Sequence, residues 1–384
     1  MKRAGCLLLI LLLLCAPVAL SAPIEEGAPF SMETPAYLLM EASTGQVIFE
    51  RNADERRPVA SITKMMTLLL LLEGLQEGTI SLSDQVTISR EAAGMGGSQA
   101  LLDAGSQYRL EELLKSTIVS SANDASVALA EHTAGSEQNF VERMNKRAAE
   151  LGLSNTAYQN CTGLPAAGQY TTARDVATLS REVAKHPRFF GYSRIWMDTI
   201  AHKGGRVTEL TNTNRLVRFF DGCDGFKTGS TDEARYCISA TAEKDGMRLI
   251  AIVLGTPASQ TRFNEARKML EHGFSTYRLF SVCAKGDLLG MQVGVTHGGV
   301  DTVDAAAGEG MVMLIRRGDE AGISLEVALP ESIQAPVARG TAIGEVRVLQ
   351  NGELVGTIPA VAGTDVGLPG YIEALLRILR GWKQ

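Results

Sequence analysis

The stretch PVASITKMMTLLLLLEGL, residues 58–75, decides the fold class. Its body, Ile62 to Leu75, is rich in Leu and Met and apolar nearly all round, which predicts a helix buried in a core rather than lying on a surface. Ser61 and Lys64 stand three residues apart where that helix opens, so their side chains share one face. Upstream, Ala36 to Met40 and Gln46 to Glu50 read as strands joined by the Gly-containing turn Glu41 to Gly45. Downstream, Leu110 to Val119, Asp124 to Thr133, Glu137 to Leu151 and Thr172 to Lys185 show helical periodicity. Arg235 to Ala242 and Arg248 to Leu254 read as strands, and Glu265 to Tyr277 as a last helix. Strands flanking a run of helices predict an α/β domain.

The pattern changes near residue 280. From there to about 362 short Val/Ile/Leu runs alternate with turns such as His297-Gly298-Gly299 and Gln350-Asn351-Gly352-Glu353, with no helical periodicity. A small all-β domain is expected. Gly367-Leu368-Pro369-Gly370 then breaks the chain before one last helical segment. At the other end, Met1-Lys2-Arg3, the apolar run Leu7 to Leu14, Pro17 and the small residues Ala19, Ser21 and Ala22 have the layout of a secretory signal peptide. The run is shorter than the roughly 20 residues a membrane span needs. A lipoprotein reading of Cys15 is disfavoured, because Leu-Leu-Leu precedes it where small residues are expected. The expected organisation is a signal peptide over 1–22, an α/β domain over 23–278, a β-rich domain over 279–365 and a terminal helix over 366–384.

The 384 residues are 45% hydrophobic, enough for a sizeable core, and a net charge of −6 argues against a general nucleic-acid binder. Cys6 and Cys15 belong to the signal segment, leaving Cys161, Cys223, Cys237 and Cys283 with no Cys-x-x-Cys pair. Cys223 and Cys237 flank a strand-turn-strand segment, so a disulfide between them and two buried thiols stand as equal alternatives. The histidines, His132, His186, His202, His272 and His297, are scattered without ligand spacing, so no metal site is expected. No cofactor is expected either.

Three short motifs carry chemistry: Ser61-Ile62-Thr63-Lys64, Ser121-Ala122-Asn123 and Lys227-Thr228-Gly229, each pattern occurring once. A serine is a poor nucleophile until a base takes its proton. Lys64 can be that base only when neutral, which burial and a neighbouring cation such as Lys227 favour. The helix N-terminus favours negative charge near Ser61. Taken alone, Ser61 reads equally well as a helix cap. Ser121 offers a hydroxyl for proton relay, and Asn123 a donor and an acceptor for a peptide-like substrate, although Asn123-Asp124 also reads as a helix start. Lys227-Thr228-Gly229 fits a strand whose edge pairs with an extended peptide. Thr228 beside a cation suits a carboxylate, and Gly229 permits close backbone approach.

With these motifs in order, the chain resembles the low-molecular-mass penicillin-binding proteins, the serine D-alanyl-D-alanine carboxypeptidases of the peptidase S11 family. The wider contexts match as well: Ala60 to Met65, Ser121-Ala122-Asn123-Asp124-Ala125, Asp224 to Gly229, Leu151-Gly152-Leu153 through Gly163-Leu164-Pro165, and the β-rich region around Pro336 to Pro359. The resemblance implies an antiparallel sheet packed with helices, plus a helical subdomain. It implies that Ser61 attacks the carbonyl between two D-alanines of a peptidoglycan stem peptide while Lys64 accepts its proton. The N–H groups of Ser61 and Ser230 would form an oxyanion hole. Ser121 would pass a proton to the departing D-alanine, Lys227 would tune that proton, and Asn123 would hold the peptide. Thr228 and Ser230 would bind the terminal carboxylate, with Arg262 where the family often carries a carboxylate-binding arginine. Arg262 also reads as a solvated helix charge. β-Lactams would acylate Ser61 as substrate mimics.

A serine β-lactamase shares the three motifs, but class A enzymes add Glu-x-x-Leu-Asn, and Glu142-Arg143-Met144-Asn145 has the wrong spacing. A wall-associated penicillin-binding protein with little turnover is the other alternative. In the terminal segment, Ile372, Leu375, Leu376, Leu379 and Trp382 fall on one helical face, and Glu373, Arg377, Arg380 and Gln384 on the other. Such a helix would be about 21 Å long, too short to span a bilayer and suited to lying in its interface. The alternative is a helix docked on its own domain. With the signal peptide, this places the expected protein on the extracytoplasmic face of the cytoplasmic membrane, at the cell wall.

Overall fold

The computed structural model describes residues 25–372 and residue 375. The chain divides into two compact units after Arg278. The signal segment 1–22 lies outside the described residues. So does most of the segment expected to form a terminal helix; of its described residues, Tyr371, Ile372 and Leu375 are helical and exposed.

In the first unit a six-stranded sheet forms from β1 (Glu25–Glu26), β2 (Ala36–Glu41), β3 (Val47–Arg51), β8 (Cys223–Thr231), β9 (Arg235–Lys244) and β10 (Met247–Thr256). The order is β1-β3-β2-β10-β9-β8, antiparallel except for the β1/β3 pair, and β8 is an edge. Two short hairpins complete the strands: β4 (Gln85–Thr87) with β5 (Gln107–Arg109), and β6 (Met197–Ala201) with β7 (Val207–Thr211). The residues of β10 from Leu249 to Leu254 are fully buried, as a continuous apolar run covered on both faces should be. β9 is lined with Cys, Ser, Ala and Thr, small enough for helices to approach closely.

Helix α1 (Lys64–Glu77) runs through the core, followed by α2 (Arg90–Ala93), α3 (Leu110–Val119), α4 (Asn123–Ala134), α5 (Glu137–Glu150), α6 (Ala173–Ala184), α7 (Pro187–Ser193), α8 (Leu216–Phe219) and α9 (Ser259–Thr276). Met65, Met66, Leu68, Leu69, Leu71 and Leu72 of α1 are at most 2% exposed. Each such side chain stabilises the fold by roughly 1.5–3 kcal/mol on burial. That apolar surround also forces Lys64 out of water.

One expectation is corrected and two open alternatives are decided. The last helix starts at Ser259, not Glu265, because its first turn, Ser259-Gln260-Thr261-Arg262, is polar and carries no apolar signal. Ser61 lies in a 3₁₀ turn, Ala60–Thr63, that leads into α1, and neither it nor Asn123 caps a helix with its side chain. Cys223 and Cys237 are free thiols. Cys223 pairs in register with Ala242 and Cys237 with Gly229, so they sit about six residues apart along the ribbon, roughly 20 Å and far beyond disulfide reach.

From Leu279 to residue 370 the second unit is all-β apart from a 3₁₀ turn at Asp319–Gly322. One sheet runs in the order Ile323–Ala328, Ala342–Gln350, Glu353–Ala362, Thr302–Ala307, Leu288–Thr296, Ser332–Gln334. Val293, Val303, Ala305 and Ala362 form one apolar cluster; Val346, Ile358 and Ala360 contribute to a second. Gln350 pairs with Glu353 across a two-residue turn in which Asn351 and Gly352 both have positive φ, the geometry an Asn-Gly hairpin favours.

Candidate active site

Four separate pieces of chain meet at the start of α1. Ser61 is on the turn in front of it, and Lys64 is its first residue. Asn123 is the first residue of α4, and Ser121 sits in the three-residue link from α3, Ser120 to Ala122, with φ +64, a left-handed conformation that is costly for serine. Lys227, Thr228 and Gly229 lie on the edge strand β8. Thus the structure brings Ser61, Lys64, Asn123 and the β8 motif together, as well as a segment, Cys161 to Gly163, for which no role was expected.

Two glycines make the meeting possible. A Cβ on Gly229 would stand 2.2 Å from the Val59 carbonyl oxygen and 3.0 Å from Ser61 N. A Cβ on Gly163, where φ is +83, would stand 2.0 Å from the Ala60 carbonyl oxygen. The serine turn is therefore gripped between two backbones at van der Waals distance. Gly229 was expected to admit a substrate; the neighbour it admits here is the serine turn itself.

Lys64 is completely buried. Its Nζ lies 3.0 Å from Ser61 Oγ, 2.6 Å from Asn123 Oδ1 and 2.6 Å from the Thr162 carbonyl oxygen. Asn123 donates its amide N–H to the Gly96 carbonyl at 2.7 Å, which fixes its oxygen toward Lys64. Burial lowers the lysine pKa from 10.5 to about 7, with the nearby Cys161 and Asp124 opposing the drop. A neutral amine has two N–H bonds and one lone pair. The carbonyl oxygens of Asn123 and Thr162 only accept, so they take both hydrogens. The lone pair is then left for Ser61 Oγ, which must be the donor in that pair.

Lys227 and Ser121 are also buried, and among the described residues Lys227 Nζ and Ser121 Oγ have no hydrogen-bond partner. Burial pushes the Lys227 ammonium well below its usual range, and the charges of Lys64 and Arg262 push it further. A buried donor without a partner is costly, and an incoming anion relieves that cost. Thr228 is buried and Ser230 exposed on the same strand.

Arg262, in the first turn of α9, is not a solvated charge. It is 8% exposed, and Nη1 donates to the carbonyls of Gly229 at 2.9 Å and Cys237 at 3.3 Å. Its guanidinium stacks on Phe263 and Tyr236, and burial lowers its pKa to about 10. It therefore braces the β8 edge one residue before Ser230. Asp124 was quoted only as part of a motif. Its buried carboxylate accepts from Ala100 N at 2.9 Å and Leu102 N at 3.1 Å, fixing the loop that also contacts Asn123 through Gly96. The Thr162 carbonyl could not be read from side-chain chemistry, because the group it presents is backbone.

Comparison with known proteins identifies the family. Residues 22–258 match the D-alanyl-D-alanine carboxypeptidase family, peptidase S11, and residues 277–367 match the penicillin-binding protein 5 C-terminal domain. The D-alanyl-D-alanine carboxypeptidase DacF of Bacillus subtilis is 36% identical, covering 100% of this chain and 99% of that protein. DacC of Escherichia coli is 34% identical over 94% of this chain and 90% of its own. Among solved structures, penicillin-binding protein 5 from Haemophilus influenzae superposes with a TM-score of 0.78 at 31% identity, covering 89% of this chain and 99% of that one. A Streptomyces K15 DD-transpeptidase variant covers 64% of this chain and 99% of its own, with a TM-score of 0.60 and 28% identity. With the family matched across both units and the serine–lysine pair in place, the chain belongs to the serine-type D-alanyl-D-alanine carboxypeptidases of peptidase family S11.

Proposed function

We propose that this protein removes the terminal D-alanine from peptidoglycan stem pentapeptides through an acyl-enzyme on Ser61. The observation that carries the proposal is the placement of the buried Lys64 Nζ, 3.0 Å from Ser61 Oγ and 2.6 Å from two carbonyl acceptors, so that in the neutral amine the lone pair is left for the serine hydroxyl. Lys64 takes the Ser61 proton as Oγ attacks the carbonyl between the two D-alanines. The N–H groups of Ser61 and Ser230 receive the developing oxyanion. Ser121 delivers a proton to the departing amine, and the positive field at Lys227 sets where that proton rests. Asn123 orients the stem peptide. Thr228 and Ser230 hold the terminal carboxylate, and Arg262 adds positive potential behind them. The C–N bond breaks, D-alanine leaves, and water hydrolyses the ester to regenerate Ser61. A β-lactam opens on Ser61 by the same attack.

The sequence of the two ends supports a location on the extracytoplasmic face of the cytoplasmic membrane, with residues 371–384 as an interfacial anchor. The chemistry is tested by incubating purified protein with a fluorescent penicillin and, separately, with a model pentapeptide. Covalent label and D-alanine release are expected in the wild type, and both should vanish in Ser61→Ala. Label without D-alanine release would instead favour a penicillin-binding protein with little turnover.

A further inference from the structure

The Thr162 carbonyl is one of the two acceptors that orient the Lys64 amine, so whatever holds that carbonyl controls the base. Three side chains from three places hold the segment that carries it, through the groups on either side of the carbonyl. Thr67 lies one turn beyond Lys64 on α1, is fully buried, and donates from Oγ1 to the Cys161 carbonyl at 2.7 Å. Glu137, the first residue of α5, accepts from Cys161 N at 2.9 Å. Asn160 braces the turn from inside: its Oδ1 accepts from Thr162 N at 3.2 Å and Gly163 N at 2.7 Å, and its Nδ2 donates to the Leu164 carbonyl at 2.9 Å. The peptide before Thr162 is thus tied at both its N–H and its C=O. The peptide after it is tied to Asn160 and pressed against Ala60.

We infer that Thr67 and Asn160 are positioning residues for the acylation step, acting through the Thr162 carbonyl to aim the Lys64 lone pair at Ser61. This rests on Lys64 serving as the base toward Ser61. When the carbonyl is released, two things change. The amine loses one of the acceptors that fixes its rotation, so fewer encounters present the lone pair to Oγ. The ammonium loses an acceptor that favours it over the free amine, so the lysine sheds its proton at lower pH. The other titratable and charged groups facing Lys64 are Asp124 from α4, the Cys161 thiol and Lys227 from β8, and none of these is altered by the substitutions below.

The experiment measures the second-order rate of Ser61 acylation by a fluorescent penicillin across pH 5–9, normalised to the sites that titrate. Thr67→Val keeps the shape and removes the donor; Thr67→Ser restores it; Asn160→Ala removes the internal brace. Thr67→Val and Asn160→Ala should each lower the plateau rate about tenfold, the scale of one lost hydrogen bond, and move the acid limb to lower pH, with Thr67→Ser close to wild type. A structural defect alone would lower the titratable sites and leave the limb in place. A plateau within twofold of wild type, or a lowered plateau with an unmoved limb, would overturn the assignment. Should one variant not fold, the other decides alone, since its hydrogen bonds come from a different element. Absence of wild-type labelling would instead refute the serine mechanism itself.

Discussion

At Lys64, catalysis and stability pull in opposite directions. The folded chain holds this lysine at a pKa of about 7 because burial penalises the ammonium, whereas an unfolded chain keeps the proton up to the ordinary 10.5. Between these values folding expels a proton, so the unfolded state binds more protons and stability rises with pH. Below about pH 7 both states are protonated and the full penalty applies; above 10.5 neither is and it vanishes. Relative to Lys64→Met, which has nothing to titrate, the wild type should gain about 1.4 kcal/mol of unfolding free energy per pH unit from pH 7 to 10. Denaturant titrations of both proteins at pH 7, 8 and 9 measure this. A gap independent of pH would mean that Lys64 stays charged in the folded protein. The same pKa predicts an acid limb near pH 7 for acylation, because only the unprotonated amine can accept the serine proton.

At the scale of elements, the site is a contact between one turn and two glycine-bearing segments. Gly163→Ala would force a Cβ to 2.0 Å from the Ala60 carbonyl and strain a backbone at φ +83. The Ser61 turn must then move. A shift of about 1 Å in a nucleophile can cost about a hundredfold in rate, so acylation by a labelled penicillin should fall on that scale while circular dichroism stays native. Acylation at the wild-type rate would show that the turn has slack. This contact also marks how far the sequence could be read. Helices α3 to α6 were legible to within one or two residues because their apolar periodicity reports burial directly. The start of α9 was not, because its first turn is polar, and the β6–β7 hairpin was not, because one of its faces is exposed and carries Met197 and Val207. Ser61, Lys64, Asn123 and Lys227 were legible because their chemistry is in side chains and their order is specific. The grip of Gly163 and the Thr162 acceptor were not, since a carbonyl and a missing Cβ leave no mark on residue type.

At the scale of the whole molecule, all the residues assigned to chemistry belong to the unit ending at Arg278, which has its own core around α1. No helix among the described residues is long and apolar enough to cross a membrane. We propose that retention on a membrane comes from the C-terminal segment. A chain with net charge −6 is repelled by anionic lipid, but residues 371–384 hold three basic residues against one acidic, and their apolar positions are spaced to share one face of a helix. Truncation after Pro369 removes both contributions and leaves every residue of the first unit in the chain. The truncated protein should move from the membrane pellet to the supernatant while releasing D-alanine from a pentapeptide at the full-length rate. Leu376→Asp with Leu379→Asp should do the same by breaking only the apolar face, whereas a high-salt wash of the full-length protein should release only part of it, since salt screens the basic residues and leaves apolar burial intact. Retention of the truncated form would place the anchor elsewhere in the chain.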